Sequence, residues 1–214
     1  MLNSLQNFAC FGIQAAKLKQ VGLQGKLRAI ILKNCTVLAE ITLIITSDGS
    51  TSVEYQDQGR IYHLLHYLSQ LYSLKRVKVS GFFLKNWLMR NVSDIAYIAS
   101  NHLKILYLVE MSFNDHDQTK ATVKLLKLFS NLRELQILIR SGEYSRQSFE
   151  FLQAQNQSSY CFGQLQNVKI HLRDCVTIFS NRHPELEFIK FLLNHSPVLD
   201  KMVILNDEHR DKFN

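Results

Sequence analysis

The chain has 214 residues, of which 46% are hydrophobic and 20% charged, the balance of a soluble globular domain with a sizeable core. Its longest apolar run, Ile41 to Ile45, is far short of the roughly 20 residues of a membrane span, and two prolines with eight glycines leave no room for a long linker. The net charge of +7 permits acidic partners, nucleic acid included, but the basic residues are not gathered in one run.

The first stretch, "MLNSLQNFACFG", has no basic start followed by an apolar block and so does not read as a secretory signal. Cys10, Cys35, Cys161 and Cys175 are scattered without a C-x-x-C pair, which predicts reduced, mostly buried thiols. The expected compartment is intracellular, with cytoplasm and nucleus not distinguished.

Along the chain a short apolar pattern recurs. "LAEITL" at Leu38 is its first counted copy, with "LQNFAC" at Leu5 a possible earlier one. "LKQVGL" at Leu18 has the pattern but breaks the period and is not counted. "YLSQLYSLKRVKV" (Tyr67–Val79) runs a helix into Leu74-x-x-Val77-x-Val79. "LKILYL" follows at Leu103. "LLKLFSNLRELQILI" (Leu125–Ile139) runs a helix into Leu132-x-x-Leu135-x-Ile137, and "LQNVKI" stands at Leu165. Near the end, Phe188, Ile189, Leu192 and Leu193 mark one face of a helix. Pro184 suits its first turn and Pro197 its end. Leu199, Met202 and Ile204 then give the spacing of a half-buried strand.

The leading leucines fall at 38, 74, 103, 132, 165 and 199, at intervals of 29 to 36 residues. Leu-x-x-Leu-x-Leu at such a period is the leucine-rich-repeat signature. One helix–strand unit cannot bury its own apolar face, whereas stacked neighbours can. The fold class expected is α/β: a solenoid of about six repeats, with a curved parallel sheet and helices on its convex side. In each copy the last two apolar residues point into the core. The residue between them and the one before the pair point the other way. That places Glu40, Thr42, Arg76, Lys78, Ile105, Tyr107, Glu134, Gln136, Asn167, Lys169, Lys201 and Val203 on the strand-lined concave face. The candidate partner-binding set on it is Arg76, Lys78, Ile105, Tyr107, Glu134, Gln136, Asn167 and Lys169.

A search for chemistry finds none. The glycines stand singly, with no phosphate-binding loop and no G-x-S-x-G elbow. His63 and His66 have i, i+3 spacing but lack Cys or acidic partners for a metal. Asp115, His116 and Asp117 in "NDHDQ" read as a polar loop, with Asp117 or Thr119 capping the next helix. The densest basic stretches, "LKRVKV" and "AAKLKQVGLQGKLR", do not interleave aromatics with cations as single-strand binders do. No enzyme activity, cofactor or metal is expected, and nucleic acid is not the expected partner.

The segment "FGQLQNVKIHLRDC…PELEFIKFLLNHSPVLDKMVI" resembles the FBD domain that closes plant F-box/FBD/leucine-rich-repeat proteins. "HLLHYLSQLYSLKRVKVSGFFLK" and "LKILYLVEMSFND…VKLLKLFSNLRELQILIRSG" are similar to the repeat region of the same family. The resemblance implies repeats over residues 1–160 and an FBD domain over 161–214 that continues them. It further implies a substrate receptor of an SCF-type ubiquitin ligase, whose partner is a protein target. The family's F-box, with its Leu-Pro start and Arg-Trp end, has no counterpart here, so no binding to a Skp-type adaptor is expected of this chain. The alternatives are a basic repeat scaffold that binds nucleic acid, and a truncated, non-functional family member.

Overall fold

Among the described residues, six strands of the main sheet follow a tight turn closed by the leading leucine. Its N–H donates three residues back, as from Leu74 to the Leu71 carbonyl (2.9 Å) and from Leu132 to Phe129 (3.1 Å). The computed structural model describes residues 11–25, 30–45, 71–88, 102–140, 142–173 and 183–207. Among these, nine strands form: β1 (Phe11–Gln14), β2 (Gln20–Gly25), β3 (Ile30–Lys33), β4 (Glu40–Ile45), β5 (Arg76–Ser80), β6 (Ile105–Met111), β7 (Glu134–Arg140), β8 (Asn167–Arg173) and β9 (Lys201–Asp207). Four helices separate the later strands: α1 (Gly81–Leu88), α2 (His116–Leu128), α3 (Arg146–Asn156) and α4 (Pro184–His195).

The protein is α/β, and its main sheet is parallel throughout, ordered β2-β4-β5-β6-β7-β8-β9 as in the chain. Parallel neighbours need a crossover connection, and the described helices supply it from β5 onward. Contrary to the sequence reading, the Leu18 stretch is part of this sheet: it forms β2, which pairs with β4. Its return path is short because it runs through β3, which pairs with β1 in a separate two-stranded sheet. The sheet therefore has seven strands where the sequence pattern counts six. The Leu5 stretch, His63 with His66, and residues 174–182 lie outside the described residues.

Register makes the core continuous. Val21, Ile41, Val77, Leu106, Leu135, Val168 and Met202 align across the sheet, as do Leu23, Leu43, Val79, Leu108, Ile137, Ile170 and Ile204, but on the edge strand β9 Met202 is only half-buried and Ile204 is exposed, contrary to the sequence reading. From Leu106 to Ile170 these residues are at most 2% exposed. Each buried aliphatic side chain contributes about 1.5–3 kcal/mol. β6 carries one irregularity, a bulge between Leu108 and Met111 with Glu110 at φ 56°. The extra residue returns Met111 to the core and sends the Glu110 carboxylate outward to Arg140 at 2.7 Å. Beside it, β5 passes into α1 without a loop, and Gly81 makes this possible. A Cβ there would sit 2.9 Å from the Glu110 carbonyl.

The helices bury one face each. In α2 that face is Ala121, Thr122, Val123, Leu125 and Leu126, and in α4 it is Phe188, Ile189, Phe191 and Leu192. The α2 cap is Asp115, and not Asp117 or Thr119 as expected from sequence. Its Oδ1 accepts from the N–H of Asp117 and of Gln118. Thr119 is instead buried, donating from its hydroxyl to the Phe113 carbonyl. Pro184 occupies the first turn of α4 and the helix stops at His195, as Pro184 and Pro197 predict. Cys35 is buried and Cys161 exposed, so the expectation of mostly buried thiols holds for the first and not the second; both are free, and Cys10 and Cys175 lie outside the described residues.

Glu185 at the start of α4 is 2% exposed. Its Oε1 accepts from Asn114 Nδ2 at 2.7 Å, and its Oε2 has no hydrogen-bond partner. Burial pushes its carboxyl pKa above the ordinary value, more than its own helix N–H, His183 and Asn114 pull it down. A raised folded pKa means the protonated form suits the fold, and its stabilising contribution is lost as pH rises through that pKa. Glu185→Gln should therefore raise the melting temperature at pH 7–8, with the gain shrinking toward pH 4. A variant less stable than the parent at pH 8 would contradict this reading.

Candidate partner-binding face

The face of the sheet opposite the core is built from the residues that alternate with it. Strand geometry sends successive side chains to opposite sides, so parallel in-register pairing stacks equivalent positions into rows. The first row is Gln20, Glu40, Arg76, Ile105, Glu134, Asn167 and Lys201. The second is Gly22, Thr42, Lys78, Tyr107, Gln136, Lys169 and Val203. All twelve residues expected on this face stand in these two rows. Each is exposed or half-buried, while the residues between them are in the core. Neighbouring members of a row are about 4.8 Å apart, the spacing of paired strands.

Charge on the two rows is partly paired. Glu40 is held between Gln20 Nε2 (3.3 Å) and Arg76 Nη1 (3.5 Å). Glu134 accepts from Gln136 Nε2 at 2.6 Å. Lys78, Lys169 and Lys201 form no ion pair among the described residues. Tyr107 lies between Lys78 and Gln136 in the second row. Burial raises its phenol pKa, Glu134 and Glu40 add to that, and Arg76 opposes them. The hydroxyl is thus neutral at pH 7 and can donate as well as accept.

A third row at the rim escapes a sequence reading by runs, because its members are some 30 residues apart. It consists of the residue after each leading leucine: Lys19, Ala39, Lys75, Lys104, Arg133, Gln166 and Asp200. Each carbonyl from Lys19 to Gln166 accepts two N–H groups from the next unit. Lys75 O, for example, receives Lys104 N and Ile105 N, both at 3.0 Å, and Lys104 O receives Arg133 N (2.9 Å) and Glu134 N (3.0 Å). The backbone of the rim is therefore fixed and the cations stand on it at strand spacing. The signal in sequence is a basic residue after the leading leucine at Leu18, Leu74, Leu103 and Leu132. Together the rim and the two rows hold eight basic and three acidic side chains, +5 of the chain's net +7.

The "NDHDQ" residues lie elsewhere, at the opposite ends of the strands. Asn114, Asp115, His116 and Asp117 line an open cleft of about 490 Å³ with Ser112, Gly142, Glu143, Ser145 and Gln147. Burial alone would raise the Asp115 carboxyl pKa. Lys85 at 2.9 Å and the two α2 N–H groups outweigh burial and hold it below the usual value. Asp115 is therefore committed to capping. Among the described residues no group of three or more His, Cys, Asp or Glu side chains could hold a metal ion. Among them, too, no helix is long and apolar enough to cross a membrane.

Comparison with known proteins adds a relative. The chain is 26% identical, over 196 residues, to an F-box/FBD/LRR-repeat protein of Arabidopsis thaliana. The match covers 90% of this chain and 45% of that protein, so the chain spans less than half the length of its relative. No family model matches the chain, and no solved structure matches it. On this similarity the chain has a family-level relationship to the plant F-box/FBD/leucine-rich-repeat proteins.

Proposed function

We propose that this chain is the target-recognition portion of a receptor for an SCF-type ubiquitin ligase, a non-catalytic module that binds a protein through the open face of its sheet. In this reading the sheet and helices are a leucine-rich-repeat solenoid. Residues 1–160 are its repeat region and 161–214 an FBD domain that continues it; β8 and β9 extend the same sheet in register across that boundary. The observation that carries the reading is the pair of in-register rows, which presents polar, charged and aromatic side chains on one fixed surface. The similarity to an F-box/FBD/LRR-repeat protein supports it.

The partner-binding residues are Arg76, Lys78, Ile105, Tyr107, Glu134, Gln136, Asn167 and Lys169. Tyr107 offers a large contact area with one polar end, the type of residue that dominates interface energies. Arg76 and Lys78, one strand away, favour a carboxylate or phosphate on the partner. The test is comparative proximity labelling in cells. Arg76→Ala, Lys78→Ala and Tyr107→Ala, combined, should remove the target proteins captured by the parent chain while leaving the circular dichroism spectrum unchanged. Capture of the same partners at the same strength would rule this face out as the binding site.

A further inference from the structure

We infer that the basic rim of the sheet binds an extended acidic segment of the target, laid across the strands from Lys19 toward Arg133; this deepens the target-binding reading and rests on it. Lys19, Lys75, Lys104 and Arg133 form no ion pair among the described residues. Three of them, Lys75, Lys104 and Arg133, follow one another on neighbouring strands. Two strand spacings put the outer pair about 10 Å apart, which three or four residues of an extended peptide span. The four cations together cover about 19 Å, or some six residues. Because the carbonyls of the rim are pinned by paired N–H donors, the backbone that carries the cations needs no ordering on binding, and only their side chains must be immobilised.

The rim is also apolar in part, which decides the class of polyanion. Tyr72 is 74% exposed and meets the His102 ring edge-on at 5.8 Å, and Val37 is 41% exposed in the neighbouring turn. The two turns are joined by the Ser73 hydroxyl, which donates to the Thr36 carbonyl at 2.9 Å. Next to the cations, Glu40 and Glu134 present carboxylates on the first row. A continuous phosphodiester would meet those carboxylates at close range. A polypeptide can place anions over the rim cations, an apolar side chain on Tyr72, and donors opposite Glu134. Asp and Glu, or phosphorylated Ser and Thr, are the two sources of acidic groups with this chemistry.

The test is fluorescence anisotropy with the full chain and a labelled seven-residue peptide of alternating Glu and Leu. Parallel arms replace every Glu by Gln, or every Glu by phosphoserine, and a fourth uses oligothymidylate. Binding should follow the anionic peptides and not the Gln peptide, and should weaken with salt. Preference for phosphoserine over Glu would name the source of the charge. Lys75→Gln, Lys104→Gln and Arg133→Gln, combined, should weaken the acidic peptide about tenfold or more. Lys120→Gln, Arg146→Gln and Lys190→Gln on the helices remove the same charge and should change it less than about twofold. Equal losses in the two triple variants, no loss in the rim variant, or tighter binding of oligothymidylate than of the acidic peptides would each overturn the inference. A neutral rim variant that still captures targets, with capture lost in the Arg76, Lys78 and Tyr107 variant, would sink the rim assignment and leave the proposed function standing.

Discussion

Phe188→Ala is expected to lower the free energy of unfolding by about 3–5 kcal/mol, the cost of deleting a fully buried aromatic ring and leaving a cavity. Phe188 is 0% exposed on the inner face of α4. Its ring stacks on Phe113 with centroids 4.2 Å apart and leans on Phe191 at 6.1 Å. Phe113 belongs to the segment between β6 and α2, so this contact joins the last helix to the middle of the sheet. Urea unfolding followed by circular dichroism measures the effect. Leu193→Ala on the same helix serves as the control, since Leu193 is 51% exposed and should cost about 0.5 kcal/mol or less. A Phe188 variant within about 1 kcal/mol of the parent would mean that α4 does not pack as described.

Leu135→Ala should cost about 2–5 kcal/mol by the same mechanism. Leu135 is 0% exposed in β7, paired in register with Leu106 on one side and Val168 on the other. Gln136→Ala, the next residue, faces away from the core and should leave the midpoint nearly unchanged. The contrast between adjacent residues is the informative measurement. Equal effects would mean that the alternation, and with it the assignment of the open face, is wrong.

Much of this architecture is legible in the sequence because the strand period is two and its apolar partners are leucines. Leu132, Leu135 and Ile137 are enough to predict which way Glu134 and Gln136 point, and the register confirms it. The Leu18 strand is missed because its crossover runs through β3 and not through a helix, which shortens the unit and breaks the period. α3 leaves a faint trace in sequence, since Ser148 and Leu152 alone are buried in it. The cap is misplaced for a local reason. Asp115, Asp117 and Thr119 can all accept a backbone N–H, and only the path of the chain out of β6 selects Asp115. The rim cations are invisible to a search for basic runs because the sheet, and not the chain, brings them together.

The claim that partners bind the open face of the sheet is tested most directly by position-specific photo-crosslinking in cells. A benzophenone amino acid replaces Tyr107 in the second row, or Lys120 on α2, in otherwise identical chains. Irradiation should yield discrete protein adducts from the Tyr107 position, competed by the unlabelled parent chain, and none from the Lys120 position. Adducts from Lys120 with none from Tyr107 would contradict the account and move the binding surface to the helices.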